Sequence, residues 1–297
     1  MYFTEAAMLG LIQGITEWLP VSSSGHLALL HNHIGKGSPT YDFLLHLATL
    51  LIVIVYYRDK IVKMLKNTVV FLQACFKMES EGECRYKERE EHKHNKAEQC
   101  RICKNFLHFF KTQQDFRLAI CILISSVPTA VVGFGLKISI YDLVYSSNLF
   151  IGLGLVFTGT ALILTLNPFK STMIKEIGVS HALIIGICQG IAVLPGISRS
   201  GITISAAILL GIQREKAAEF SFLISIPAIA GAGFLSLLDI PSIPSSDYIP
   251  ALVGVIVCII SGYAAIKLLL KMVQKKAFHL FSPYCLLLGF LMIVLNL

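Results

Sequence analysis

Long apolar blocks alternate with short polar breaks along this chain. Six blocks, at 41–57, 116–136, 149–167, 217–238, 249–270 and 280–297, are dominated by Leu, Ile, Val, Ala, Gly and Phe. Each is about as long as a helix must be to cross the roughly 30 Å hydrocarbon core of a bilayer. Two further apolar stretches depart from this pattern. The one at 5–19 stops at Pro20, and the one at 179–194 stops at Pro195-Gly196. Both are short for a span, and each proline ends an incoming helix. A serine-rich run follows in each case, Ser22-Ser23-Ser24 and Ser198-Arg199-Ser200, and serine caps the start of an outgoing helix. The pattern therefore predicts two re-entrant helical hairpins, at 5–34 and 179–211, each entering and leaving by one membrane face. Residues 77–115 are rich in Glu, Lys, Arg and His and interrupt the apolar scheme as a charged insertion.

The two hairpins are versions of each other. At a constant offset of 176, Gln13, Gly14, Ile15, Ser22, Ser24 and Gly25 meet Gln189, Gly190, Ile191, Ser198, Ser200 and Gly201. The likeness continues weakly, with Asp42-Phe43 matching Glu219-Phe220 at an offset of 177. Each hairpin precedes three apolar blocks, so 1–167 reads as one repeat and 179–297 as the other within a single membrane domain, 1–297. Three spans per repeat is an odd number, which inverts the second repeat relative to the first, as in known inverted-repeat membrane folds. The expected fold is an all-α polytopic membrane protein with six transmembrane helices and two re-entrant hairpins.

Composition agrees. The chain is 55% hydrophobic and 14% charged, against about 25% charged in soluble proteins, and its mean hydropathy is +0.72. Of its 25 Lys and Arg residues, 14 lie between Arg58 and Arg117 and eight more between Lys170 and Lys276, apart from Arg199. Only Lys36 and Lys137 fall in the alternate loops. The positive-inside rule then makes the 58–117 segment cytoplasmic in a multi-pass plasma-membrane protein, with the first hairpin entering from outside. The net charge of +7 reflects this topology and contact with anionic headgroups; it is no nucleic-acid signature. Residues 1–12 lack the basic start and cleavage site of a signal peptide. The eight cysteines are scattered and no disulfide is expected. Cys84, His92, His94, Cys100 and Cys103 include one Cys-x-x-Cys pair, which admits a zinc reading beside that of a solvated charged run.

The chemistry sits where the two motifs differ. Glu17 faces Val193, Ser23 faces Arg199 and His26 faces Ile202 at the same offset. A helix start presents free N–H groups and a positive dipole end, so two opposed starts form an anion pocket. Irregular backbone at membrane depth needs such a polar cavity or a protein lining. Arg199, costly at depth unless partnered, suits phosphate oxygens; the structural alternative is an ion pair with Glu17. Glu17 is an isolated carboxylate fit to ligate a divalent cation or to act as a base. Gln13 lies one turn earlier on its face. Ser23 and His26, spaced i and i+3, place a hydroxyl beside an imidazole, and either is a candidate nucleophile. Ser22, Ser24, Ser198, Ser200 and Thr203 are expected to line the anion pocket. Such a pocket also suits a secondary transporter or lipid flippase for an anionic substrate, although a transporter needs no Glu/Ser/His cluster confined to one repeat.

Gln13-x-x-x-Glu17, Pro-Val-Ser-Ser-Ser-Gly-His at 20–26 and Pro-Gly-Ile-Ser-Arg-Ser-Gly-Ile-Thr at 195–203 together resemble the undecaprenyl-diphosphate phosphatase family, also called bacitracin resistance proteins. The resemblance covers nearly the whole chain outside 77–115. It implies hydrolysis of a polyprenyl diphosphate to the monophosphate, which recycles a lipid carrier for cell-envelope glycans. It places Glu17, Ser23, His26, Ser198 and Arg199 on active-site positions and Thr203 on the second motif's threonine. It further implies a divalent cation, Mg²⁺ or Ca²⁺, and a site open to the outer face. Gln13 stands where some members carry glutamate, which leaves one fewer carboxylate for a cation. Whether the protein is a homo-oligomer is open in the sequence.

Overall fold

The computed structural model describes residues 2–34, 39–86, 106–140, 144, 147–166, 174–237 and 247–295. Among these the secondary structure is helical apart from one isolated bridge between Ile174 and Ile212. The first hairpin is α1 (Phe3–Trp18) and α2 (Ser23–Ile34), followed by α3 (Pro39–Tyr56) and α4 (Arg58–Tyr86). A short helix at 106–112 precedes α5 (Gln114–Ser139) and α6 (Asn148–Leu164). The second hairpin is α7 (Val179–Ile191) and α8 (Arg199–Leu209). It is followed by α9 (Arg214–Leu237), α10 (Tyr248–Gln274), a 3-10 turn at Phe278–Phe281 and α11 (Ser282–Leu295).

Among the described residues, α5, α9 and α10 are long and apolar enough to cross a membrane, and α3 with α4 makes a fourth candidate if that bent pair is one span. The helices at Asn148–Leu164 and Phe278–Val294 are apolar but shorter. These elements are consistent with a multi-pass membrane protein. The first and last turns of the charged insertion are also helical, since α4 runs to Tyr86 and a helix occupies 106–112. The zinc reading rests on side chains at 84–103 that lie outside those described.

Packing is reciprocal between the repeats. Helix α1 packs chiefly on α10 and α7 chiefly on α5, while α6 packs on α11 and α3 on α9. Small residues permit the close crossings. A Cβ added to Gly10 would sit 2.1 Å from the Gly254 carbonyl oxygen, and one added to Gly186 would sit 2.3 Å from that of Ser125. Gly14 and Gly190, four residues on, meet α10 and α5 in the same way, at 2.2 Å from Ser261 Oγ and 2.7 Å from Val132 Cβ. The spacing in α1 and α7 is thus Gly-x-x-x-Gly at matching positions, which lets helix backbones approach where lipid offers no hydrophobic drive between them.

Candidate active site

Both hairpins turn by the same device. Helix α1 ends in extended backbone at Leu19, and Ser22, in the left-handed region at φ 67°, swings the chain into α2. In the second copy Gly196 takes the positive φ, at 85°, two residues before the N-cap Ser198. The Gly25 N–H donates to Ser22 Oγ at 3.3 Å, and the Gly201 N–H donates to Ser198 Oγ at 3.1 Å. Ser24 Oγ lies 3.2 Å from Ser22 Oγ, and Ser200 Oγ lies 3.3 Å from Ser198 Oγ. These four serines therefore build the helix starts, with the free N–H groups of α2 and α8 beyond them.

The last helix of each repeat braces the break of the other. On α6, Thr158 Oγ1 lies 3.4 Å from the Gly196 carbonyl and accepts the Ser198 N–H at 3.0 Å. On α11, the Cys285 thiol donates to the Pro20 carbonyl at 3.2 Å. The two turns also touch, with Ser200 Oγ 3.4 Å from the Leu19 carbonyl oxygen it donates to.

Glu17 is the hub. Its Oε1 accepts Arg199 Nη2 at 2.5 Å, and its Oε2 accepts Ser23 Oγ at 2.7 Å and Gln13 Nε2 at 3.1 Å. The Arg199 guanidinium also lies over the Trp18 ring, 5.6 Å from its centroid, a cation–π contact. Trp18 is fully buried and meets Phe222 edge-on at 5.3 Å. Both charges are sheltered, the Arg199 side chain 14% and the Glu17 side chain 7% exposed. With one end fixed, Arg199 keeps its buried Nη1 without a hydrogen-bond partner. Thr203 Oγ1 donates to the Arg199 carbonyl at 2.8 Å and lies 2.5 Å from Ser221 Oγ. It therefore supports the α8 backbone under Arg199 rather than presenting its hydroxyl to the pocket.

The expected hydroxyl–imidazole pair is not formed. Ser23 Oγ donates its hydrogen bond to Glu17, and His26 directs its ring elsewhere. His26 Nδ1 lies 2.8 Å from the Ser22 carbonyl oxygen and Nε2 lies 2.6 Å from Tyr284 Oη. A carbonyl only accepts, so Nδ1 carries the hydrogen and Nε2 holds the lone pair. The Tyr284 hydroxyl then donates to Nε2, and the two rings stack with centroids 5.7 Å apart.

Trp18, Tyr284 and Thr158 join the site beyond the residues expected. Trp18 had a visible signal, since it is the single tryptophan and adjoins an isolated carboxylate. Tyr284 and Thr158 arrive from helices distant in sequence, and nothing local marks them.

Among the described residues no three or more His, Cys, Asp and Glu side chains group as a metal site. A smaller donor set exists. Gln13 Oε1 is buried without a partner beside the Glu17 carboxylate, and both are hard oxygen donors. That suits Mg²⁺ or Ca²⁺ drawing its remaining ligands from phosphate and water.

A sheltered carboxylate, a hydroxyl hydrogen-bonded to it and a guanidinium with one unpartnered nitrogen thus meet beside two helix starts. Residues 6–291 match the profile of the family described as bacitracin resistance protein BacA, and the chain belongs to that family. It is 39% identical to an undecaprenyl-diphosphatase of Desulforapulum autotrophicum, over 99% of this chain and 98% of the relative. It is 38% identical to one of Desulfosudis oleivorans, over 96% and 95%. It is 35% identical to one of Methanosphaera stadtmanae, over 98% and 97%.

Proposed function

We infer that this protein is an undecaprenyl-diphosphatase, hydrolysing the polyprenyl diphosphate to the monophosphate and inorganic phosphate. The observation within the chain that carries the reading is Arg199 Nη1. It is a buried N–H on a guanidinium already held by Glu17 and Trp18, with no acceptor of its own. A phosphate oxygen is the acceptor it fits, one nitrogen on the carboxylate and the other on the substrate. The free N–H groups at the starts of α2 and α8 add to the same anion pocket.

In this reading Ser23 is the nucleophile and Glu17 its base, supported by the 2.7 Å hydrogen bond between them. Ser23 Oγ forms a bond to the terminal phosphorus while its proton passes to Glu17 Oε2. The bond from that phosphorus to the bridging oxygen breaks, and polyprenyl monophosphate departs with its charge countered by Arg199. Water then attacks the phosphoserine, its proton passing to His26 Nε2 as the Tyr284 hydroxyl turns away from that nitrogen, and from the imidazolium on to solvent. The Ser23–phosphorus bond breaks, Glu17 returns the proton to Ser23 Oγ, and inorganic phosphate leaves. A divalent cation would be held by Glu17 and Gln13 Oε1, and it would supply charge neutralisation on the phosphoryl oxygens.

The architecture we infer is the inverted repeat: α3, α5, α6, α9, α10 and α11 cross the membrane, and the two hairpins enter from opposite faces. The reciprocal packing of α1 on α10 and α7 on α5 supports it. The charge distribution supports a cytoplasmic 58–117 segment and a site open to the outer face. The test is phosphate release from undecaprenyl diphosphate by purified protein. Release that chelator abolishes and Mg²⁺ or Ca²⁺ restores is the expected result. Movement of the lipid across vesicles with no phosphate released would overturn the hydrolase in favour of a transporter.

A further inference from the structure

We propose that α4 is a membrane-surface helix that recognises anionic phospholipid headgroups, independently of the reaction at Glu17. Among the described residues the second repeat has no counterpart to it: α9 corresponds to α3, and the next described helix there is α10. Across Tyr57 the chain bends by 73° between Thr40–Tyr56 and Arg58–Phe76. If α3 crosses the bilayer, α4 runs closer to the membrane plane than to its normal.

The start of α4 is unfit for hydrocarbon. Arg58, Asp59, Lys60, Lys63 and Lys66 all fall within its first nine residues, and each charge is costly at depth. Yet one face of the helix is apolar and uncovered. Val62, Leu65, Val69, Leu72 and Phe76 recur at helical spacing and are 46%, 60%, 49%, 47% and 70% exposed. Lys66, exposed, borders this stripe, and Lys63, also exposed, lies further round on the same side. A third face packs on protein. Met64 is buried, and Phe71 meets Phe106, Phe109 and Phe116 at 5.9, 5.5 and 4.7 Å between centroids.

The helix start is fastened as well, since Lys60 Nζ lies 2.6 Å from Asp115 and 3.5 Å from Glu219. Lys60 is therefore committed to the body, whereas Lys63 and Lys66 are turned outward. An apolar stripe with cations beside it and a third face on protein is the pattern of a helix lying at the headgroup–acyl boundary. Two free lysines there select anionic lipid, by about fivefold each near a charged surface.

The experiment uses full-length protein in vesicles. Trp18 is fully buried, so Leu65→Trp and, in a second variant, Val69→Trp report on the stripe. Both positions are exposed, so neither substitution touches the core. Quenching by acyl-brominated phosphatidylglycerol in mixed vesicles should exceed that by brominated phosphatidylcholine several-fold. Adding Lys63→Glu and Lys66→Glu should remove the difference, with phosphate release retained. Efficient quenching by aqueous acrylamide would overturn the proposal, as would equal quenching by the two lipids. Shielding from both acrylamide and lipid would also overturn it, by showing that protein, such as a second copy, covers this face.

Discussion

At the scale of single residues, the proposed mechanism separates groups that touch phosphate from groups that aim them. In it Ser23, hydrogen-bonded to Glu17, carries the covalent step. Ser23→Ala should lower kcat by about 10²–10⁴-fold and abolish the phosphoserine that mass spectrometry detects in quenched wild-type reactions. His26→Ala should instead let that adduct accumulate. An adduct on His26, with none on Ser23, would reverse the assignment. Tyr284 positions the imidazole from the far repeat. Tyr284→Phe keeps the stacked ring and loses only the hydroxyl on His26 Nε2, so it should lower kcat about tenfold with KM unchanged. If Tyr284 merely packs, the Phe variant will match the parent in steady-state kinetics.

At the scale of elements, the Gly-x-x-x-Gly pairs in α1 and α7 decide how closely the hairpins approach their partner helices. Gly186→Ala drives a methyl into backbone, the Ser125 carbonyl, which cannot yield as a side chain tip would. The expected cost is about 1–3 kcal/mol, read as a lower melting temperature in detergent. Gly135→Ala is the control, because a Cβ there meets nothing within 4 Å; it should melt at or above the parent temperature. Much of this level was legible beforehand. The proline breaks, serine caps and apolar blocks lie within a few residues of the helices observed, because each depends on local sequence. The spacing of Gly10 and Gly14 was visible too, but not which helix they meet. The partner of Ser23 was misplaced because i, i+3 spacing says which residues share a face, and not that Ser22 φ turns α2 so that Ser23 reaches back to Glu17.

At the scale of the whole molecule, the repeats are alike in backbone and unlike in charge, and one site needs both. The first supplies Glu17, Ser23 and His26; the second supplies Arg199, Tyr284 and the second helix start. Duplication alone, visible as an offset of 176, makes two hairpins; only their apposition joins Glu17 to Arg199. The meeting of Glu17 with Arg199 was legible from the mismatched positions. The Trp18 platform and the bracing by Thr158 and Cys285 were not, since those contacts exist only once distant helices pack. The proposed role of Arg199 as the phosphate-holding group is tested most directly by phosphate release from undecaprenyl diphosphate by Arg199→Ala protein. A loss of about 10²–10³-fold in kcat/KM, in a variant that still elutes and melts as a folded protein, is the predicted result. Activity within twofold of the parent would contradict it.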